Sequence, residues 1–130
     1  YEHLANLLKP IIKKHKGILG LSSIGIVSGA TFKEEAIALR KILPSAPFLV
    51  PGYGTQGASA EDACAPLIQD LIHPNLKNFG LINASRSIAF TEESYLANNI
   101  EEWQKIILTK INSTNNELAN INQSARNFNE

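Results

Sequence analysis

The sequence predicts an α/β fold in which parallel strands are covered by helices. Two observations carry that expectation. Short β-branched runs alternate with stretches of helical period, and glycine or proline bounds each run. The resulting order is helix, strand, helix, strand, helix, strand, helix, the pattern of strands buried beneath crossover helices. Three strands make a small parallel sheet, too few to close a barrel, which needs eight strands and typically about 250 residues.

Each element has a local reason. From Leu4 to Lys16, the residues Leu4, Leu7, Leu8, Ile11 and Ile12 recur at helical spacing with lysines opposite, and Pro10 is expected to start or kink that helix. Gly17 and Gly20 break the pattern. Ser23 to Ser28 carries Ile24, Ile26 and Val27 between glycines and reads as a strand. Thr31 stands three residues before Glu34, the spacing of a capping box, and the following helix should turn Phe32, Ala36, Leu39 and Leu43 inward until Pro44 ends it. Pro47 to Val50 is a second buried strand, followed by a loop from Pro51 to Ala58.

Ser59 and Asp62 have the spacing of another helix start, with Cys64, Leu67, Ile68 and Leu71 as its apolar stripe. Gly80 to Ala84 is the third strand, ending at Ser85 and Arg86. Thr91 before Glu92 and Glu93 should cap a last helix whose Leu96, Ile100, Trp103, Ile106 and Ile107 face inward. Beyond Asn112 the chain is rich in Asn and Ser. Residues 1–112 are therefore expected to fold, and residues 113–130 to form a polar, flexible tail.

Composition excludes several function classes. At 130 residues the chain suits one domain. Twelve basic and twelve acidic residues balance, which gives no reason to expect nucleic acid or an anionic membrane as partner. No apolar run approaches the roughly 20 residues of a membrane span, and the start lacks the basic and apolar regions of a signal peptide. Cys64 is the single cysteine, so no disulfide framework or cysteine zinc site is expected and a reducing, cytoplasmic setting fits. His3, His15 and His73 have no metal-like spacing. The absence of methionine and an opening inside a helical pattern read as a piece of something longer.

The most informative stretch is Gly52-Tyr53-Gly54-Thr55-Gln56-Gly57. Glycines let the backbone pass close to a ligand and can turn N–H groups toward an anion. The loop lies between a strand and a helix N-terminus, whose partial charge is positive, and Gln56 adds a neutral donor. These features describe a phosphate cradle. The same letters also spell the dinucleotide fingerprint. Against that reading, the next strand ends in Asn83-Ala84-Ser85-Arg86 rather than in an acidic residue for a ribose, and Pro51 directly precedes the first glycine. Arg86, at the end of the following strand, suits a phosphate dianion through paired N–H bonds.

Three segments together resemble the orotidine 5'-phosphate decarboxylases, in their bacterial second group: Val27-Ser28-Gly29-Ala30-Thr31, Leu49 to Gly57, and Asn83-Ala84-Ser85-Arg86-Ser87-Ile88. The resemblance covers roughly Leu4 to Ile107. It implies the C-terminal portion, about three βα units, of a TIM (β/α)8 barrel, with the segments at the ends of strands six, seven and eight.

It also implies that Gln56 contacts the substrate phosphate from a mobile lid loop, with Gly54 and Gly57 of that loop among the substrate-binding residues. Arg86 would make the charged contact near backbone N–H groups of Ser85 and Arg86, and Pro51 would line the wall beside the pyrimidine. No metal or cofactor is implied. The Asp-Lys-Asp catalytic array of the family is expected upstream of this chain, so the chain alone is expected to be inactive. The complete enzyme is expected to be a cytoplasmic homodimer converting orotidine 5'-phosphate to UMP and carbon dioxide. Ala58 and Ser87 depart from glycines common in the family. Two other readings stay open: a non-catalytic phosphate- or nucleotide-binding half-barrel, and an NADP-binding oxidoreductase fragment.

Overall fold

Phe48 to Pro51 forms the central strand of a three-stranded parallel sheet in the computed structural model, which describes residues 1–54, 56–67 and 80–127. Two compact units are present, Tyr1–Asn83 and Ala84–Glu130.

The first unit contains the sheet. Strand β1 (Ile26–Val27), β2 (Phe48–Pro51) and β3 (Gly80–Asn83) lie in that order, with Val27 opposite Leu49 and Leu49 opposite Leu81. The first strand is shorter than the expected Ser23–Ser28, yet its ladder continues: Ile26, Ser28 and Ala30 donate backbone N–H bonds to Pro47, Leu49 and Pro51. A glycine directly precedes β1, at Gly25, and another opens β3, at Gly80. A Cβ on Gly25 would come within 2.6 Å of the Pro47 carbonyl oxygen, and one on Gly80 would overlap the Phe48 carbonyl and the Leu67 side chain.

Helix α1 (Glu2–Lys14) buries Ala5 and Ile12, one stripe at helical spacing, and leaves Leu4, Leu7 and Ile11 exposed. It runs through Pro10, which neither starts nor ends it. Helix α2 (Lys33–Ile42) corrects two expectations. Phe32 is its N-cap, no side chain caps it, and the expected Thr31–Glu34 box does not form. Because the helix begins after Phe32, that ring stands outside the inward stripe and is exposed, whereas Ala36 and Leu43 are buried.

Helix α3 (Ala60–Cys64) has the expected box: Ser59 Oγ accepts from the Asp62 N–H, and the Asp62 carboxylate accepts from the Ser59 N–H. Pro66 lacks the N–H an α-helix would need, and the chain tightens into a 3-10 turn over Ala65–Leu67. Cys64 and Leu67 are buried as expected; Ile68 and Leu71 lie outside the described residues. The core of this unit is Phe48 and Val50 of β2 with Ala36, Leu43, Ala46, Ala63, Cys64 and Leu67.

The second unit is helical: α4 (Arg86–Ala89), α5 (Glu92–Tyr95) and α6 (Ile100–Asn127). One continuous helix after Thr91 was expected, and two form. Thr91 Oγ1 does cap a helix, accepting from Ser94 N–H at 3.2 Å, but α5 is a single turn. A second start signal then takes over, because Asn99 Oδ1 accepts from the Glu102 N–H at 2.9 Å. The break leaves Leu96 and Ile100 exposed rather than inward, while Trp103, Ile106 and Ile107 are half-buried. Helix α6 continues through the polar stretch after Asn112. No helix among the described residues is long and apolar enough to cross a membrane.

Candidate functional site

The loop after β2 owes its path to three glycines. Gly52, Gly54 and Gly57 take φ values of 103°, 82° and 90°, in the left-handed region that a side chain disfavours by roughly 1–2 kcal/mol per residue. The loop also closes on itself. Gly54 N–H donates to the Ala58 carbonyl at 3.1 Å, Gly57 N–H donates to the Gly54 carbonyl at 2.8 Å, and Tyr53 pairs with Ala58 in a short parallel bridge. The buried Tyr53 anchors the loop's base.

These bonds alter the role of two predicted residues. The N–H groups of Gly54 and Gly57 are occupied within the loop, so here the two glycines supply shape rather than donors. Gln56 remains exposed, and its side chain folds back until Oε1 lies 2.9 Å from where a Cβ on Gly52 would sit. Pro51 ends β2 half-buried, its carbonyl accepting from the Ala30 N–H at 2.8 Å. Thr55 lies outside the described residues.

The helix that follows contributes less positive potential than its position suggests. Its first turn carries Glu61 and Asp62, whose carboxylates offset the partial charge of the N-terminus. The Ser59 hydroxyl, then the Ser59 N–H, hold the Asp62 carboxyl below the ordinary carboxylate range. Lys33 lies 2.6 Å from Glu61 and 3.8 Å from Asp62, and its bond to Glu61 raises its pKa. The lysine beside the loop's exit is therefore already paired. A dianionic ligand on this loop needs its charge balanced from another element.

Ser85 and Arg86 belong to the second unit, where they begin α4. Both are exposed. The Ser85 carbonyl accepts from the N–H groups of Ile88 and Ala89, at 3.2 and 2.8 Å. Next to Arg86, the Ser87 hydroxyl is buried without a hydrogen-bond partner among the described residues. Thus Pro51, Gly54, Gln56 and Gly57 are gathered on one loop, while Ser85 and Arg86 form a second group. Arg40, which the sequence reading passed over, is a structural cation: its Nε donates to the Pro66 carbonyl at 2.7 Å. No cluster of three or more potential metal-ligating side chains occurs among the described residues.

No protein-family profile matches the chain. Curated relatives do. An orotidine 5'-phosphate decarboxylase of Clostridium perfringens is 41% identical over 88 residues, covering 68% of this chain and 28% of the relative. One from Rhodopirellula baltica is 33% identical over 111 residues, covering 82% of this chain and 34% of the relative. The chain thus spans about a third of the length of the curated relatives it matches. Among solved structures, an orotidine-monophosphate-decarboxylase of Toxoplasma gondii aligns with a TM-score of 0.61 at 23% identity, over 93% of this chain and 42% of that one. The latter likeness is one of fold: three parallel βα units of a (β/α)8 barrel.

Proposed function

We propose, from the premise that this chain is homologous to the orotidine 5'-phosphate decarboxylases over its matched residues, that it is the phosphate-binding part of such an enzyme. The substrate is then orotidine 5'-phosphate, the products UMP and carbon dioxide, and the setting pyrimidine nucleotide synthesis in the cytoplasm by a homodimer. The observation that carries the reading is the loop of three left-handed glycines at the carboxyl end of β2, where parallel sheets bind ligands.

In this reading Gln56 donates its amide to a phosphate oxygen. Arg86 supplies the paired, charged N–H bonds, assisted by backbone N–H groups near Ser85. The loop supports that reading, since Gly54 and Gly57 spend their N–H groups on closure and Lys33 is held by Glu61. Pro51 presents an apolar wall to the pyrimidine.

The chemistry is the loss of the C6 carboxylate as carbon dioxide, followed by protonation of the carbanion left at C6. The resemblance assigns that proton to a lysine held between aspartates in the portion of the relatives that this chain does not span. What these residues do is bind: interactions with a remote phosphate can stabilise the transition state when they hold the reacting ring in place.

Kinetics of a complete decarboxylase carrying these residues test the reading. Arg86→Ala should lower kcat/KM by on the order of a hundredfold or more, the loss of a charge-assisted bidentate contact. Unchanged kinetics would remove Arg86 from the site. The 130-residue chain alone should release no carbon dioxide from orotidine 5'-phosphate.

A further inference from the structure

Charge balances over the whole chain but not along it. Between His3 and Phe32 there is no aspartate or glutamate, while Lys9, Lys13, Lys14 and Lys16 are all exposed. Lys13 and Lys14 stand in the last turn of α1, where cations complement the partial negative charge of a helix end. That accounts for two of the four. None of them pairs with a carboxylate among the described residues. Glu2, the one acidic residue of α1, opens the helix, about 17 Å from Lys13 by helix rise.

After α1 the chain makes a tight turn. Lys16 pairs with Ser22 in an antiparallel bridge, Gly17 N–H donates to the Leu21 carbonyl at 2.7 Å, and Gly20 N–H donates to the Gly17 carbonyl at 3.0 Å. Gly20, at φ 82°, takes the left-handed conformation that closes such a turn. Its base is fixed: Ser23 N–H donates to the His15 carbonyl at 3.1 Å, and the N–H of the buried Ser22 donates to the Ser45 carbonyl at 2.8 Å. The two central residues held out by this frame are Ile18 and Leu19, exposed to 104% and 67%. Turn centres ordinarily carry Gly, Pro, Asn, Asp or Ser. Nothing in the backbone geometry asks for two large aliphatic side chains, and neither is buried. Because the turn precedes β1 and is tied to the segment before β2, it lies at the amino end of the strands, away from the glycine loop.

We propose that this turn docks on an anionic phospholipid bilayer, with Ile18 and Leu19 entering the headgroup layer and Lys9, Lys13, Lys14 and Lys16 meeting the lipid phosphates. Two observations favour a bilayer over an acidic protein surface. The aliphatic pair is convex and stands clear of the fold, which suits a deformable interface, whereas protein partners seat their anchors in shaped pockets. The cations are all lysines, and residues 2–31 contain no arginine, phenylalanine, tyrosine or tryptophan. Protein interfaces favour those four types and are depleted in lysine. At an anionic leaflet lysine is attracted by the surface potential, and its stem lies along apolar surface while the ammonium stays in water. Each such lysine strengthens binding by about fivefold. The attachment is therefore reversible and weakens with salt. It lies at the opposite end of the strands from the proposed phosphate cradle and does not depend on that reading.

The test is co-sedimentation of the 130-residue chain with vesicles, with no nucleotide present. The chain should bind phosphatidylcholine vesicles containing about a third phosphatidylserine, and not vesicles of phosphatidylcholine alone. Ile18→Ser combined with Leu19→Ser should weaken binding by about tenfold or more while preserving the circular dichroism spectrum. Lys13→Gln, Lys14→Gln and Lys16→Gln together should weaken it by on the order of a hundredfold. Lys105→Gln, at an exposed position on α6, should leave it unchanged. No sedimentation with the anionic vesicles would overturn the proposal, as would undiminished binding by the serine pair. An equal loss from Lys105→Gln would overturn it in favour of unspecific attraction. Binding of polyglutamate as tight as that of the vesicles, and lost with the same substitutions, would overturn it in favour of an acidic protein partner. Because no turnover is measured, its failure is distinct from a failure of Arg86 in the kinetic assay.

Discussion

The guanidinium carbon of Arg40 lies 3.8 Å above the centre of the Phe48 ring. From there its nitrogens reach three backbone carbonyls: Pro66 at 2.7 Å, Ala46 at 2.8 Å and Pro44 at 3.2 Å. One side chain on α2 thereby joins the entry to β2 with the 3-10 turn after α3. Burial lowers its pKa to about 10, so it stays charged at neutral pH. Replacing it with leucine would keep apolar contact with the ring but strip the donors from those carbonyls. The expected loss is roughly 2–4 kcal/mol, seen as a lower urea midpoint. Arg40→Lys should recover only part of it, because an ammonium lacks the planar fork.

Helix α3 depends on its cap. Ser59→Ala removes the hydroxyl that accepts from the Asp62 N–H and should cost about 1 kcal/mol in thermal or urea unfolding. It should also change the acid limb. The folded-state pKa of Asp62 is depressed below its ordinary 3.8, chiefly by Ser59. Its contribution is therefore present above that ordinary value and fades as pH falls through the depressed one. A Ser59→Ala stability profile as steep as the wild type below pH 4 would refute the assignment.

The loop glycines should separate backbone strain from ligand contact. Gly57→Ala meets no atom within 4 Å, so its penalty is the left-handed backbone alone, about 1–2 kcal/mol. Gly52→Ala carries similar strain and also presses on Gln56 Oε1. In a complete enzyme, titration calorimetry with UMP should therefore show the larger affinity loss for Gly52→Ala. Equal losses would mean that the position of Gln56 is immaterial.

The start of α6 offers a fourth check. Asn99 Oδ1 accepts from the Glu102 N–H, while the Glu102 carboxylate accepts from Asn98 N–H at 2.8 Å and Nδ2 at 3.0 Å. Those bonds hold the Glu102 carboxyl below the ordinary range. Asn99→Ala should cost about 1 kcal/mol, read as earlier helix melting by circular dichroism, and Asn99→Ser or Asn99→Asp should restore most of it.

What the sequence disclosed was local. Residues 48 to 51, residues 80 to 83 and the Ser59 box were legible because short apolar runs and a three-residue cap spacing act over a few neighbours. Thr31 had the same spacing and failed, because the backbone at Phe32 enters α2 one residue later. The break between α5 and α6 was missed where two start signals, Thr91 and Asn99, lie eight positions apart and the first looked sufficient. Arg40 was invisible because its partners are carbonyls of Pro44, Ala46 and Pro66, whose convergence no spacing encodes. For the site, the glycines were readable as permissive. Their N–H groups turning inward depended on Ala58, which the pattern treated only as a departure from glycine.

Gly25 and Gly80 flank the entry of β2, each against a backbone carbonyl that leaves no room for a Cβ. Their consequence is mutational. A saturation library scored for folded protein should return both positions as blanks, since even alanine must force neighbouring strands apart. Those blanks would fall at the amino end of the central strand, away from the glycine loop at its carboxyl end. A map of intolerance read without the structure would thus advertise a second hot region, one that records how closely three backbones are stacked and says nothing about a ligand.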